Sequence, residues 1–147
     1  MNIVLMSGAC VVKDNKTLLL QQAKTARHPG KWGPPGGRVK DGESMIDAAL
    51  REVKEETNLD IKIRGLVQAG IKLHSNGKVS VITLFYSVPL KQNDLKIDKT
   101  ELSDCKWVDK KQIDQDQFKL RDPLLKKILI KALTQKPAPI DSFEIYP

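Results

Sequence analysis

Glu52, Glu55 and Glu56 stand at i, i+3 and i+4 in the run Arg51-Glu52-Val53-Lys54-Glu55-Glu56. On a helix, where successive side chains turn by about 100°, their carboxylates share one sector of the surface. Like charges at this spacing repel by roughly 0.2–0.5 kcal/mol per pair. Glu55 and Glu56 also lie near the predicted C-terminus of that helix, where the macrodipole disfavours negative charge. The placement is locally unfavourable, and a hard divalent cation, which takes oxygen ligands, would relieve it.

Read over a longer window, Gly37, Glu43, Arg51-Glu52-Val53, Glu55-Glu56 and Leu59 closely resemble the Nudix box, G-x5-E-x7-R-E-U-x-E-E-x-G-U with U a bulky aliphatic residue. This is the signature of Mg2+-dependent hydrolases acting on nucleoside diphosphates linked to another moiety. One fixed position departs: Asn58 stands where the box ends in glycine. That glycine closes the helix in the left-handed conformation, which asparagine tolerates best among other residues. The resemblance implies a pyrophosphohydrolase releasing a nucleoside monophosphate, with Mg2+ as cofactor and Mn2+ able to substitute.

Hydrolysis of a phosphoanhydride needs charge neutralisation, a positioned water and a base. By the resemblance, Glu52, Glu55 and Glu56 bind metal, with Glu52 and Glu56 as direct ligands and the Gly36 carbonyl completing the shell. Catalysis would fall to Glu52, Glu55, Arg51 and Glu101. Arg51 would orient a carboxylate by an ion pair, which its planar guanidinium suits; an ordinary i,i+4 pair with Glu55 is the alternative. Glu101 matches a position where relatives place a further glutamate, so it is either the general base or an exposed loop residue. Glu43, at the helix entrance, is favoured there by the macrodipole whatever its chemistry. Gly36 and Gly37 permit backbone conformations closed to other residues.

The elements that must position these groups read as follows. Ile3–Lys13 and Thr17–Ala23 form a hairpin across Asp14-Asn15-Lys16. Residues 24–36, rich in proline and glycine, form a loop that delivers the chain to the box. Ser44 caps a helix with Asp47 as the acidic partner of a capping box, and Ile46, Ala49, Leu50 and Val53 give it an apolar stripe. A second hairpin joins Ile61–His74 to Val79–Val88 through Ser75-Asn76-Gly77-Lys78. Glu101–Val108 is a further strand, and a helix begins near Asp122 behind Pro123 and stops before Pro137 and Pro139. The order of elements predicts an α/β domain. The resemblance makes it a Nudix-like α/β/α sandwich, a mixed sheet with the box helix on one face and the C-terminal helix on the other. One domain is expected over 1–147, with a core of about 3–135 and a tail of about 136–147 whose Phe143, Ile145 and Tyr146 would pack on the domain or across a homodimer.

The chain of 147 residues is 40% hydrophobic, with a mean hydropathy of −0.35. No apolar run approaches the ~20 residues of a membrane helix, and a cytoplasmic location is expected. Cys10 and Cys105 fit no metal or redox spacing and read as buried thiols. The net charge of +7 suits anionic partners, free nucleotides and RNA ends alike, and lysines on solvated faces account for most of it; the resemblance implies a small-molecule nucleotide as partner, with no nucleic acid expected. Arg27, Lys31 and Arg38 lie close enough to meet phosphates. Trp32 either stacks on a base or caps the core, Trp107 packs inside, and His28 and His74 read as surface histidines. The downstream proline of ADP-ribose enzymes and the tyrosine of diadenosine polyphosphate enzymes are absent, Ser75 and Gly77 standing in their places. A nucleoside triphosphate, ordinary or oxidised, or an ADP-ribose-like compound remains. The competing readings are a nucleotide-sensing module without turnover and an RNA 5′-end pyrophosphohydrolase.

Overall fold

The computed structural model describes residues 1–90, 94–143 and 146. Alternation along the central strands decides the architecture. In β1 (Ile3–Lys13) Ala9 and Val11 point to one face of the sheet and Cys10 to the other; in β2 (Lys16–Gln22) Leu18 and Leu20 oppose Leu19. A strand buried on both faces needs a layer on each. The first face packs on the helix α1 (Met45–Thr57) through Val53. The second packs on α3 (Leu124–Thr134) through Leu125, Leu129 and Ala132. Fully burying Phe85, Leu129 or Val53 contributes about 1.5–3 kcal/mol each, so both layers carry stability. This is the α/β/α sandwich with α1 and α3 on opposite faces.

The sheet is mixed. β1 runs parallel to β6 (Val79–Pro89), from Ile3 opposite Val79 to Val11 opposite Ser87. It runs antiparallel to β2 at its end and to the short β4 (Gly36–Arg38) in its middle. β5 (Ile61–Leu73) pairs antiparallel with β6, and β2 carries β3 (Trp32–Gly33) and β7 (Leu102–Asp109). Asp14 and Asn15 sit at φ 51° and 59°, the backbone of a two-residue type I′ turn. Residues 24–36 are not simply a loop: β3 and the start of β4 interrupt them. Strands of two and three residues are too short for apolar periodicity to give a sign of them.

α1 starts at Ser44, whose hydroxyl accepts the Asp47 N–H at 3.0 Å, and ends at Asn58 with φ 63°. Its buried line is Ala48, Ala49, Val53 and Thr57, with Ile46 and Leu50 at the margin. A helix absent from the sequence reading, α2 (Lys110–Asp114), follows β7 directly. Its signal was the Asp109-Lys110-Lys111-Gln112 capping box: Asp109 Oδ1 accepts the Gln112 N–H at 2.9 Å and Gln112 Oε1 accepts the Asp109 N–H at 3.0 Å. Asp109→Ala should lower stability by about 1 kcal/mol, seen in urea denaturation as a lower midpoint with an unchanged m-value.

The C-terminal tail packs on its own domain through Ala138 and Phe143, whereas Tyr146, expected to pack, is exposed. Ala138 pairs with Leu66 of β5, and Phe143 meets the buried Phe85 edge-to-face at 5.3 Å between centroids. Ile145 lies outside the described residues. Cys10 is buried as expected, whereas Cys105 is half-buried at the edge of the α1-side core; both are free thiols. Trp32 caps the α3-side core against Phe118 at 5.1 Å, and Trp107 packs half-buried against the other. His74 Nε2 lies 2.9 Å from Ser80 Oγ, and both histidines are half-buried rather than fully on the surface. Among the described residues no helix is long and apolar enough to cross a membrane.

Candidate active site

β4 lies beside the middle of β1 and under α1, so the glycine pair that opens it meets the acidic face of the helix. Gly36 and Gly37 both have ordinary negative φ, and their need for glycine is one of space. A Cβ on Gly36 would stand 2.8 Å from Gly8 Cα, and one on Gly37 only 2.4–2.7 Å from the Glu52 carboxylate. Not a special backbone conformation, as expected from their residue type, but the close approach of strand to strand and strand to helix demands glycine at both positions.

Glu56 Oε1 accepts the Gly36 N–H at 2.8 Å. Burial pushes its carboxyl up to about 8, against the lowering effect of that hydrogen bond, and the nearby charge of Glu52 adds to the rise. Burial also raises Glu52; Arg51 opposes the rise, while Glu55 and Glu101 add to it. Glu55 is the outlying member, its side chain 53% exposed against 16% for Glu52.

Arg51 meets more than one carboxylate. It pairs with Glu55 at 3.2 Å in i,i+4 fashion and with Glu52 at 2.8 Å. Its strongest engagement is a fork on Glu43, Nε to Oε1 at 2.6 Å and Nη2 to Oε2 at 3.0 Å. Glu43 is held down to about 2 by the Arg51 hydrogen bonds first and by the Lys40 N–H second. Arg51 is correspondingly raised, chiefly by Glu43. Glu43 is thus the anchor that fixes Arg51 against the other carboxylates.

Glu101 precedes β7 and is exposed, yet its charge is felt by both Glu52 and Glu56. The segment before it is tied to the end of α1: the Lys96 N–H donates to the Thr57 carbonyl at 2.9 Å and the Asp98 N–H to the Glu56 carbonyl at 3.1 Å. The structure therefore brings Glu101 to the acidic cluster from a distant part of the chain.

Among the described residues no three acidic, histidine or cysteine side chains already converge on one point. Arg51 draws Glu52 and Glu55 one way, and Gly36 holds Glu56 another. The donor set nevertheless suits a hard cation. It is all oxygen, and the ionisation of its two inner members is opposed by burial and mutual repulsion, which a divalent ion offsets.

Beside the cluster opens a cavity of about 370 Å3 between the sheet and α3. Aliphatic side chains, among them Met6, Ile82, Leu84 and Ile128, line it, with Lys72, Lys127, Arg121 and Asp122 as its charged groups; Gly36 and Gly37 belong to its wall. Lys72 and Asp122 form an ion pair. Arg27, Lys31 and Arg38, suggested by sequence as phosphate contacts, are not among its lining residues. Neither the cavity nor the place of Arg121 in it is legible in the sequence, because each depends on segments far apart in the chain.

A NUDIX domain model matches residues 5–129. Nudix hydrolase 2 of Arabidopsis thaliana is 32% identical over 105 residues, covering 69% of this chain and 37% of that protein. An ADP-ribose pyrophosphatase of Methanocaldococcus jannaschii is 33% identical over 86 residues, covering 58% of this chain and 50% of that protein. The chain thus spans half or less of the length of these curated relatives. The solved structure of a NUDIX hydrolase from Nitrosomonas europaea superposes with a TM-score of 0.83 at 26% identity, covering 99% of this chain and 98% of that one.

Proposed function

We propose that this chain, which belongs to the NUDIX family, is a Mg2+-dependent pyrophosphohydrolase that cleaves a phosphoanhydride in a nucleoside diphosphate linked to another moiety and releases a nucleoside monophosphate. The observation that carries the reading is the double membership of Gly36 and Gly37. They wall the cavity, and they also touch Glu56 and Glu52. A nucleoside seated against the aliphatic wall would therefore present its phosphates to the acidic cluster.

Glu52, Glu55 and Glu56 with the Gly36 carbonyl would hold the cation. When bound, Mg2+ would neutralise phosphoryl charge and lower the pKa of a coordinated water. The remaining work falls to the chain. Arg51, fixed by Glu43, orients Glu52 and Glu55. Lys72 and Lys127 attract a polyanion to the cavity. Glu101, which is in none of the ion pairs found among the described residues, would accept the proton of the attacking water. Glu101→Gln should then lower kcat by about 10²-fold without changing the Mg2+ concentration that gives half-maximal rate. A normal kcat in that variant would place the base elsewhere.

The substrate class is a nucleoside triphosphate, ordinary or oxidised, or an ADP-ribose-like compound; the Methanocaldococcus relative is named for ADP-ribose. Incubation with a panel of nucleoside triphosphates, nucleotide sugars and dinucleotides, with Mg2+ or Mn2+ and product analysis, decides turnover and the bond cleaved together. Tight nucleotide binding with no product from any compound would leave the sensing module as the better description.

A further inference from the structure

Arg121 sits in a slot that the fold keeps open for it. The segment carrying it is clipped to β3: the Trp32 N–H donates to the Lys119 carbonyl and the Arg121 N–H to the Trp32 carbonyl, both at 2.8 Å. Its Nη1 donates to the Pro34 carbonyl at 3.0 Å. Gly33 must lack a side chain, since a Cβ there would stand 1.9 Å from Nη1 and 2.5 Å from Cζ. Arg121 lines the cavity, and its guanidinium is close enough to Glu56 and Asp122 for both charges to act on it.

Burial opposes that positive charge. Among the described residues the ion pairs found do not include Arg121, so its charge is met only at longer range. A guanidinium carries five N–H donors in a rigid fork, and Pro34 is the acceptor for one nitrogen. A half-buried cation with donors to spare, held between an aliphatic cavity and an acidic cluster, is completed by an anion. The planar fork matches a phosphoryl group better than a point charge would.

We infer that Arg121 is a substrate-binding residue whose remaining donors take phosphoryl oxygens of the nucleotide where the cavity meets the acidic cluster. The inference rests on the functional reading above. It separates two tasks: the cavity holds the nucleoside, and Arg121 recognises what is attached to it.

Titration calorimetry of the full chain with Mg2+, the α,β-methylene analogues of ATP, GTP, CTP and UTP, and the matching nucleosides tests it. Arg121→Met should weaken the analogue that the wild type binds best by about 10- to 100-fold, leave the affinity for its nucleoside unchanged, and regain part of the loss as Arg121→Lys. Equal losses for analogue and nucleoside would indicate a purely structural role and overturn the inference, as would no loss at all. Should Arg121→Met not fold, Gly33→Ala displaces the guanidinium without removing it and should give the same phosphate-dependent loss; unaltered analogue binding there would overturn it equally. A wild type that binds no analogue and turns over no nucleotide defeats the functional reading itself. Wild-type turnover with unaffected variants defeats this inference alone.

Discussion

Glu56→Gln is expected to reduce kcat/KM by on the order of 10³-fold or more and, without divalent cation, to make the protein more stable at pH 8 than the wild type. The two effects have one origin. The folded protein raises the Glu56 carboxyl from an ordinary value of 4.5 to about 8, mainly by burying it. Between those values the native state holds a proton that the unfolded chain has released, so stability falls as pH rises through this window and stays reduced above it. Glutamine has no proton to lose, and its amide oxygen can still accept the Gly36 N–H. The advantage of the variant should therefore be absent near pH 4, grow towards pH 8 and level off beyond. Thermal melts in EDTA across this range measure it. Added Mg2+ should raise the wild-type midpoint at pH 8, since it binds the folded state with its carboxylate ionised, and should do little for Glu56→Gln. Full turnover by the variant would remove Glu56 from the chemistry.

The local features of this molecule could be read from residues alone because each is decided within a few positions. Ser44 caps and Asn58 ends α1 in the left-handed region as its chemistry requires. The Asn76-Gly77 turn closes the β5–β6 hairpin, with Gly77 at φ 81°. The spacing of Glu52, Glu55 and Glu56 put them on one helix, and the structure shows how unequal they are: a deep member on a backbone N–H, a half-buried one against a glycine, and an exposed one on Arg51. That inequality depends on which part of α1 faces β4, which the helical period does not specify. The cavity, the Gly33–Arg121 slot and the approach of Glu101 to the cluster join segments separated by dozens of residues. Only the sheet topology, with β1 parallel to β6 and flanked by β4, brings them together. The dipeptide strand β3 and the helix α2 escaped for the opposite reason, being too short for any period to show.

Gly37→Ala is the sharpest test of whether the contact between β4 and α1 positions the chemistry. Gly37 pairs with Ser7 in the sheet and has an unremarkable backbone, so alanine costs nothing in conformation. Its Cβ would nevertheless lie 2.4 Å from Glu52 Oε1 and 2.5 Å from the carboxyl carbon. Ordinary contact begins about 1 Å further out, so something must yield, and the Glu52 side chain is more mobile than a hydrogen-bonded strand. Its displacement would also loosen the 2.8 Å pair with Arg51. Misplacing a reacting group by about 1 Å can cost on the order of 10²-fold in rate. Gly37→Ala should therefore lose about that much in kcat, with a raised Mg2+ requirement and a thermal midpoint close to the wild type. The further substitution Glu52→Gln should then add less in Gly37→Ala than in the wild type, because both changes act through one carboxylate. Full additivity of the two losses would mean that Gly37 acts on the strand and leaves Glu52 where it was.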